Sequence, residues 1–176
     1  MGMEMLELTK EIKGKILDIG GGGEGIIGRL YRWQVTAIDN RKEELDEAPN
    51  GFEKILMDAT ELQYAENAFD NVTFFYSLMF MNEKDQQIAL REAARVVKEN
   101  GEIHIWDCKI DTAYPQPFCI DVDVKLPDEK IHTTYGVGKC DTQSEQSIRK
   151  MCENAGLEVE TVEADGKQFY MKCKKV

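Results

Sequence analysis

A run of glycines and three aspartates are the residues of this sequence best suited to binding a ligand. Five of the six residues from 20 to 25 are glycine, and the sixth is Glu24. Asp18 precedes the run by two positions, Asp39 follows its first glycine by 19 positions, and Asp58 lies further along. A glycine turn lets a ligand approach bare backbone, and an acid about 20 residues later can bind two ribose hydroxyls. The spacing therefore predicts a site for a ligand that contains a nucleoside.

The charges beside the glycines indicate the class of ligand. A GxGxxG pattern alone also occurs in nicotinamide- and flavin-binding proteins. Asp18 and Glu24 would repel a diphosphate, whereas they would attract a sulfonium and an ammonium group. S-adenosylmethionine carries both cations and no phosphate, so the sequence predicts it as the cofactor. A nicotinamide-dependent oxidoreductase and a glycine-rich surface turn are the alternatives.

The elements that must position these residues alternate between strands and helices. Apolar runs predict strands at residues 16–19, 34–38, 54–57, 69–76, 102–106, 157–163 and 168–173. Helices are predicted after the glycines, at 41–48, from Asn82 to a stop at Asn100–Gly101, and from a Thr142–Glu145 capping box to Gly156. Such alternation is typical of a mainly parallel sheet, and ligands of these sheets bind at the carboxyl ends of the strands.

The last two predicted strands are joined by a tight Asp165–Gly166 turn, which is too short for a crossover between parallel strands. They must therefore be antiparallel. We predict an α/β fold with a Rossmann-like mixed sheet, mostly parallel with an antiparallel C-terminal edge hairpin, and with helices on both faces.

The pattern changes between Asp107 and Asp141. Residues 118–126 alternate between apolar and polar, Pro127–Glu129 turns the chain, and residues 131–137 can pair back. We predict a single domain over residues 1–176, with residues 108–140 forming an inserted β-hairpin within it. This hairpin would serve as a lid over the pocket or as the contact between two copies in a homodimer.

Composition limits the possible partners. The 22 Lys and Arg residues against 33 Asp and Glu residues give a net charge of −11, which disfavours nucleic acid. No apolar run reaches the roughly 20 residues of a membrane helix, and Met1–Met5 does not resemble a signal peptide, so we expect a cytoplasmic protein without a membrane partner. The five cysteines form no CxxC pair, which predicts free thiols and no metal site.

Four segments resemble motifs of the class I S-adenosylmethionine-dependent methyltransferases of the small-molecule type, similar to the quinone-biosynthesis methyltransferases. They are Leu17–Gly22 (LDIGGG), Ala37–Asp39, Asp58–Leu62 followed by Phe69–Asp70, and Leu90–Trp106. The resemblance extends from about Gly14 to the C-terminus. One departure is an additional residue in the glycine turn before its last glycine, at Gly23–Glu24–Gly25.

The resemblance implies a set of cofactor-binding residues. These are Asp18, Gly20, Gly21, Gly22, Asp39, Asn40, Asp58, Ala59, Tyr76 and Ser77. It implies that Asp18 helps to hold the ammonium group and that Asp39 binds the ribose hydroxyls. By the same resemblance, Asp58 and Ala59 meet the adenine, and the last two residues line the pocket beside the reacting methyl group.

The predicted function is methyl transfer to a small-molecule acceptor by in-line displacement, with the acceptor unidentified. Because the cofactor is already activated, the protein has mainly to position the acceptor and exclude water. Asp107 and His132 are the catalytic candidates; Asp107 is alternatively a strand-ending acid, and Tyr135 is a further hairpin residue that could touch substrate. The apolar run at 78–81 is either a pocket wall or helix packing.

Two other functions remain open: a non-catalytic S-adenosylmethionine-binding module and a protein-directed methyltransferase. The signature of amino-methyltransferases that act on nucleic-acid bases is absent, because Phe75–Leu78 stands in its place.

Overall fold

The computed structural model describes residues 4–138 and 141–176. Within them the strands are β1 (Glu4–Glu7), β2 (Ile16–Ile19), β3 (Val35–Asp39), β4 (Glu53–Leu56), β5 (Phe69–Phe75), β6 (Val97–Cys108), β7 (Phe118–Lys125), β8 (Lys130–Val137), β9 (Leu157–Asp165) and β10 (Gln168–Lys175). The α-helices are α1 (Ile26–Tyr31), α2 (Lys42–Glu47), α3 (Glu83–Val96) and α4 (Glu145–Asn154).

Seven strands form the central sheet in the order β4-β3-β2-β5-β6-β10-β9. The pairs β2–β3, β2–β5, β3–β4 and β5–β6 are parallel, and β10 is antiparallel to both β6 and β9. The predicted mixed sheet with an antiparallel C-terminal edge hairpin is therefore confirmed. Because β2, β3 and β5 are parallel neighbours, their carboxyl ends lie side by side.

The two faces of this sheet are covered by different elements. Strand residues alternate between faces, so Leu17 packs with α3 and α4 in one apolar cluster, while Ile16 packs with α1 in the other. Helices therefore cover both faces, as predicted. Asp18 follows the alternation and shares the face of Ile16 and α1.

A second sheet of three strands covers the remainder of the α1 face. Strands β7 and β8 pair antiparallel along their whole length, and β1 pairs parallel with β7. Apolar residues of this small sheet, including Ile120, Val122 and Ile131, pack in the same cluster as α1. Strand β1 is absent from the sequence prediction because four residues of mixed polarity carry too little periodicity to indicate a strand.

Three local predictions were wrong. The helix α3 ends at Val96 and passes directly into β6, where Asn100 has a positive φ of 62°. The register between β5 and β6 is irregular there, so Asn100–Gly101 forms a bulge within the strand and not the helix stop. Strand β9 extends to Asp165, so the turn consists of Gly166 and Lys167.

The third error concerns the start of α4. Its N-cap is Ser144, whose hydroxyl accepts a hydrogen bond from the backbone N–H of Ser147. The Ser147 hydroxyl accepts one from the backbone N–H of Ser144 in return, so this serine pair forms the capping box and Thr142 is not the cap.

No helix among the described residues is long and apolar enough to cross a membrane. Cys108, Cys119, Cys152 and Cys173 are free thiols. Cys140, the fifth cysteine and the end of the predicted 108–140 segment, lies outside the described residues.

Candidate functional site

A cavity of about 760 Å³ lies at the carboxyl ends of the parallel strands, and residues 133–136 of β8 also line it. All of the cofactor-binding residues predicted from the sequence line it. They are Asp18, Gly20, Gly21, Gly22, Asp39, Asn40, Asp58, Ala59, Tyr76 and Ser77. The fold therefore brings together residues from the ends of β2, β3, β4 and β5. We call the part lined by Asp18, Gly20–Gly22, Asp39 and Asp58 the glycine end.

The first glycine of the turn is required by both its conformation and its neighbour. Gly20 has a φ of +76°, and a Cβ atom there would lie 2.4 Å from the Cβ atom of Ser77. Any other residue would be strained and would push the turn away from β5. The additional residue that precedes Gly25 belongs to the same turn. The turn ends at Gly25, which has a φ of 60° and is the N-cap of α1.

Asp18 is a buried carboxyl at the floor of the glycine end, with 1% of its surface exposed. Its Oδ1 accepts a hydrogen bond of 2.7 Å from the Thr73 hydroxyl on the adjacent strand. Burial, with a smaller contribution from the nearby charge of Asp39, raises the pKa of Asp18 to about 7. A cation placed beside this carboxyl would favour its ionised form, so the site is suited to a positively charged ligand.

The other two acids are held by backbone N–H groups. Asp39 accepts from Gly22 at 3.2 Å and from Arg41 at 3.1 Å, which fixes its carboxylate against the glycine turn. Asp58 accepts from the backbone N–H and the hydroxyl of Thr60, and these hydrogen bonds lower the pKa of Asp58. Both carboxylates are therefore oriented before any ligand arrives.

Tyr76 and Ser77 follow β5 and lie between the glycine end and the hairpin. Tyr76 is 2% exposed and donates its hydroxyl hydrogen to Gln168 Oε1 at 3.2 Å. Burial raises the pKa of Tyr76, so its hydroxyl stays protonated. The Ser77 hydroxyl is buried and has no hydrogen-bond partner among the described residues. An unsatisfied buried hydroxyl costs about 1–3 kcal/mol, which a ligand could recover.

The other part of the cavity is aromatic. The ring of Tyr135 on β8 stacks on Tyr76 with centroids 4.8 Å apart and planes at 5°, and Phe80 contacts Tyr135 edge-on at 6.4 Å. Asp85, in the first turn of α3, lines the same cavity. We call Tyr76, Phe80, Asp85 and Tyr135 the aromatic end. Phe80 and Asp85 were not among the predicted site residues, although the apolar run at 78–81 was a signal for Phe80.

That apolar run serves both of the purposes considered from the sequence. Leu78 and Met79 are fully buried in the core, whereas Phe80 and Met81 line the cavity.

The two catalytic candidates lie away from the cavity surface. Asp107 is fully buried and accepts hydrogen bonds from the backbone N–H of Met79 and Cys108 and from the side chain of Gln143. It thereby positions the turn that carries Phe80. His132 is on the solvent face of β8, where it pairs with Asp123 at 2.8 Å. Strand alternation sends Tyr135, and not His132, toward the cavity.

The lining of the cavity is strongly acidic. Among the described residues, its carboxylates are Asp18, Glu24, Asp39, Glu44, Glu47, Asp58 and Asp85. Its two cationic side chains are already paired, Arg29 with Glu24 and Glu129, and Arg41 with Glu44. An anionic ligand would find no unpaired cation among the described lining residues.

A family model described as the methyltransferase domain matches residues 17–105, half of the chain. The chain belongs to this family. The match begins within β2 and ends within β6, so it contains the whole glycine end. The predicted membership of the class I S-adenosylmethionine-dependent methyltransferases is confirmed, and S-adenosylmethionine is the cofactor that this family uses.

Individual methyltransferases resemble the chain to different extents. The ubiquinone/menaquinone biosynthesis C-methyltransferase UbiE of Desulfotalea psychrophila is 34% identical over 97 residues, which are 50% of this chain and 39% of that protein. The chain thus spans about two fifths of the length of this relative.

Solved structures share the fold at low identity. A SAM-dependent methyltransferase from Methanosarcina mazei has a TM-score of 0.71 at 15% identity, with 97% of this chain and 99% of that chain covered. The glycopeptide N-methyltransferase MtfA in complex with S-adenosyl-L-homocysteine has a TM-score of 0.63 at 12% identity, covering 96% of this chain and 85% of that one. At these identities the likeness is evidence of a shared fold.

Proposed function

We propose that this chain binds S-adenosylmethionine at the glycine end and transfers its methyl group to a small-molecule acceptor by in-line displacement. The observation that carries this proposal is the convergence of the ten predicted cofactor residues, spread from residue 18 to residue 77, on one cavity. Side chains from four strand ends meet there only because the strands are parallel neighbours.

The residues present fit this cofactor. The buried Asp18 carboxyl would hold its ammonium group, and the Asp39 carboxylate, fixed by the glycine turn, would bind the ribose hydroxyls. Asp58 and Ala59 would meet the adenine. The acids beside the turn would repel a nucleotide diphosphate, and the Ser77 hydroxyl, which has no partner in the described part of the chain, would be available to hydrogen-bond the ligand.

S-adenosylmethionine supplies a methyl group on a positively charged sulfur, which is already activated toward a nucleophile. The residues of this chain then have to orient the acceptor and keep water away. Tyr76 is almost completely buried, and Tyr135 covers its ring from the hairpin. These two rings exclude water from the end of β5, next to the glycine turn.

The size and enclosure of the cavity support a small acceptor. A volume of about 760 Å³ falls in the range of roughly 300–1,000 Å³ that is usual for small-molecule sites. Residues 133–136 line the same cavity as the glycine turn, so the hairpin would act as the predicted lid and restrict entry of a folded protein surface. The net charge of −11 supports the expectation that nucleic acid is not the acceptor.

Two further parts of the proposal concern the cell. The four described cysteines are free thiols, which supports the expected cytoplasmic location. Contact between two hairpins in a homodimer stays a prediction, and the mass in solution by light scattering would test it.

Titration calorimetry with S-adenosylmethionine, S-adenosylhomocysteine and NADH tests the proposal directly. We expect binding of the first two and none of NADH. Asp39→Ala should weaken binding by about 100-fold, because two charge-assisted hydrogen bonds are lost. Glu43→Ala, an exposed acid of the neighbouring α2 outside the cavity, is the matched control and should not change the affinity.

Three other results would redirect the assignment. NADH binding without a response to S-adenosylmethionine would favour an oxidoreductase. Transfer of labelled methyl groups to acid-precipitated protein would favour a protein-directed enzyme. Tight cofactor binding with no S-adenosylhomocysteine formed over a broad acceptor collection would favour a non-catalytic binding module.

A further inference from the structure

The aromatic end of the cavity combines rings with one carboxylate. Phe80 is 53% exposed, and the Tyr135 ring, which stacks on Tyr76, belongs to a residue that lines the cavity. Aromatic ring faces carry partial negative charge and attract cations, most strongly where water is excluded. The rings alone would accept any flat apolar group, so the charges around them decide which group is preferred.

Asp85 supplies the charge at this end. Its backbone N–H donates to Asn82 Oδ1 at 2.8 Å as part of the α3 cap. No described residue forms a hydrogen bond or ion pair with its carboxylate, and Asp85 is one of the residues that line the cavity. An acid in the first turn of a helix also stabilises the helix through its interaction with the helix dipole. Any test must separate this effect on stability from ligand binding.

The described lining residues include no unpaired positive charge that could bind an anionic acceptor. Arg29 is 3.0 Å from Glu129 and 3.4 Å from Glu24, and Arg41 is 3.3 Å from Glu44. Binding a carboxylate or phosphate acceptor would require one of these pairs to break. The electrostatic preference of the cavity is therefore for neutral or positively charged acceptors.

A second, independent observation indicates that a ligand belongs at the junction of the two ends. Ser77 is 7% exposed and lines the cavity, and its hydroxyl lacks a partner among the described residues. It packs against Gly20 on one side and follows Tyr76 on the other. Ser77 thus marks the place where the glycine end and the aromatic end meet.

We propose that the aromatic end binds the amino group of a small apolar amine, with the Asp85 carboxylate and the rings of Phe80 and Tyr135 as its partners, and that this amine is the methyl acceptor. This inference rests on the proposed function and names the acceptor class for the same site. The carboxylate and rings attract the ammonium form, and the apolar body of the amine packs against the rings.

The transfer step balances without a further reactant. The ammonium group first loses one proton to solvent water, which leaves a lone pair on nitrogen. That lone pair forms the N–CH₃ bond while the C–S bond breaks and its electron pair returns to sulfur. The products are a protonated methylated amine and neutral S-adenosylhomocysteine. An alkyl amine has an undelocalised lone pair, so the amino-methyltransferase signature for nucleic-acid bases is not needed.

The test uses three probes that share a phenyl ring and differ in their head groups: 2-phenylethylamine, 2-phenylethanol and 3-phenylpropanoate. Their affinities are measured by ligand-observed NMR titration, with and without saturating S-adenosylhomocysteine. In the wild-type protein we expect the amine to bind at least about tenfold more tightly than either other probe. Asp85→Asn should remove this preference and leave the alcohol unaffected. Glu83→Gln, an exposed acid in the same helix turn outside the cavity, should keep the preference.

Each other outcome overturns the proposal. Equal or tighter binding of the alcohol or the carboxylate, an amine preference that survives in Asp85→Asn, or binding of none of the probes would each do so. Parallel titration of S-adenosylhomocysteine keeps the two proposals distinguishable. Asp85-dependent amine binding in a protein that does not bind S-adenosylhomocysteine would support the amine site and count against methyl transfer.

Discussion

The glycine end and the aromatic end of the cavity differ in how far apart their residues lie in the sequence. Asp18, Gly20–Gly22, Asp39 and Asp58 lie within about 40 positions and follow consecutive strands of one parallel sheet. The aromatic end joins Phe80 and Asp85 to Tyr135, which comes from a separate sheet 55 and 50 positions later. The first is held mainly by backbone hydrogen bonds, and the second by ring packing.

This difference separates what the fold determines from what the individual chain determines. Parallel strands and a glycine turn fix the cofactor groups wherever this fold occurs, whereas the hairpin over the aromatic end can vary without disturbing them. Changes at the glycine end should therefore affect all ligand binding. Changes at Phe80, Asp85 or Tyr135 should affect the acceptor alone.

The largest effect is expected from Gly20→Ala. The new Cβ atom would lie 2.4 Å from the Ser77 Cβ atom at a φ of +76°, so the turn must move. We expect about 1–3 kcal/mol of destabilisation and a loss of cofactor affinity of more than about 100-fold. Calorimetry and denaturant unfolding measure the two effects.

Gly156→Ala is the matched control for that substitution. Gly156 has a similar φ of +86° but no atom within 4 Å of a new Cβ atom. It should show the strain of a positive φ without any loss of cofactor affinity. Equal affinity losses in the two variants would contradict a specific role for the turn.

Asp18 should link stability and cofactor binding to pH. Its pKa of about 7 in the folded protein lies above the ordinary value of 3.8, so the folded state retains a proton that the unfolded state releases. Stability of the free protein should therefore fall as the pH rises from about 4 to about 7, by about 1.4 kcal/mol per pH unit. Cofactor affinity should rise over the upper part of this range, because the ammonium group requires the carboxylate.

Asp18→Asn resembles the protonated carboxyl and separates these effects. We expect it to match the wild type in stability only at about pH 4 and below, to exceed it by a margin that grows up to about pH 7, and to bind the cofactor weakly at every pH. Thermal unfolding and calorimetry across this range provide the measurement. A wild-type protein whose cofactor affinity does not change between pH 5 and pH 8 would contradict the assignment of the ammonium group to Asp18.

The sequence predicted the glycine end well because local patterns determine it. A short apolar strand, a glycine turn and an acid at each strand end are visible as spacings, and parallel pairing then brings them together. His132 was predicted because the hairpin that carries it could fold over the pocket, but strand alternation turns that residue to solvent and Tyr135 inward. Asp107 was predicted to lie at the ligand edge, whereas it is fully buried and accepts hydrogen bonds from Met79, Cys108 and Gln143 beneath the surface. The contacts of Asp107 with Met79 and Gln143 join distant parts of the chain. They depend on tertiary packing, which local sequence spacing does not encode.

The pair Tyr135→Leu and His132→Ala tests the aromatic end. Removing the Tyr135 ring should weaken binding of 2-phenylethylamine by about tenfold and leave the affinity for S-adenosylhomocysteine within about twofold. His132→Ala removes a solvent-exposed side chain that contacts Asp123, so it should change neither affinity. Ligand-observed NMR measures both affinities. Loss of methyl transfer in His132→Ala alone, measured in an activity assay, would reinstate that histidine as a catalytic candidate.

The smallest effect should come from Ser77→Ala, at the junction of the two ends. Because the Ser77 hydroxyl is buried without a partner among the described residues, its removal should leave the free protein equally stable or up to about 1 kcal/mol more stable. Thr73→Val is the contrast, since it removes the 2.7 Å hydrogen bond to Asp18 and should cost about 1 kcal/mol.

Ser77 packs against Gly20, so we expect Ser77→Ala to weaken S-adenosylhomocysteine binding about fivefold and to spare the amine probe. A larger loss for the amine would instead move Ser77 to the aromatic end. Destabilisation of the free protein would mean that the hydroxyl has a structural partner and is not held for a ligand.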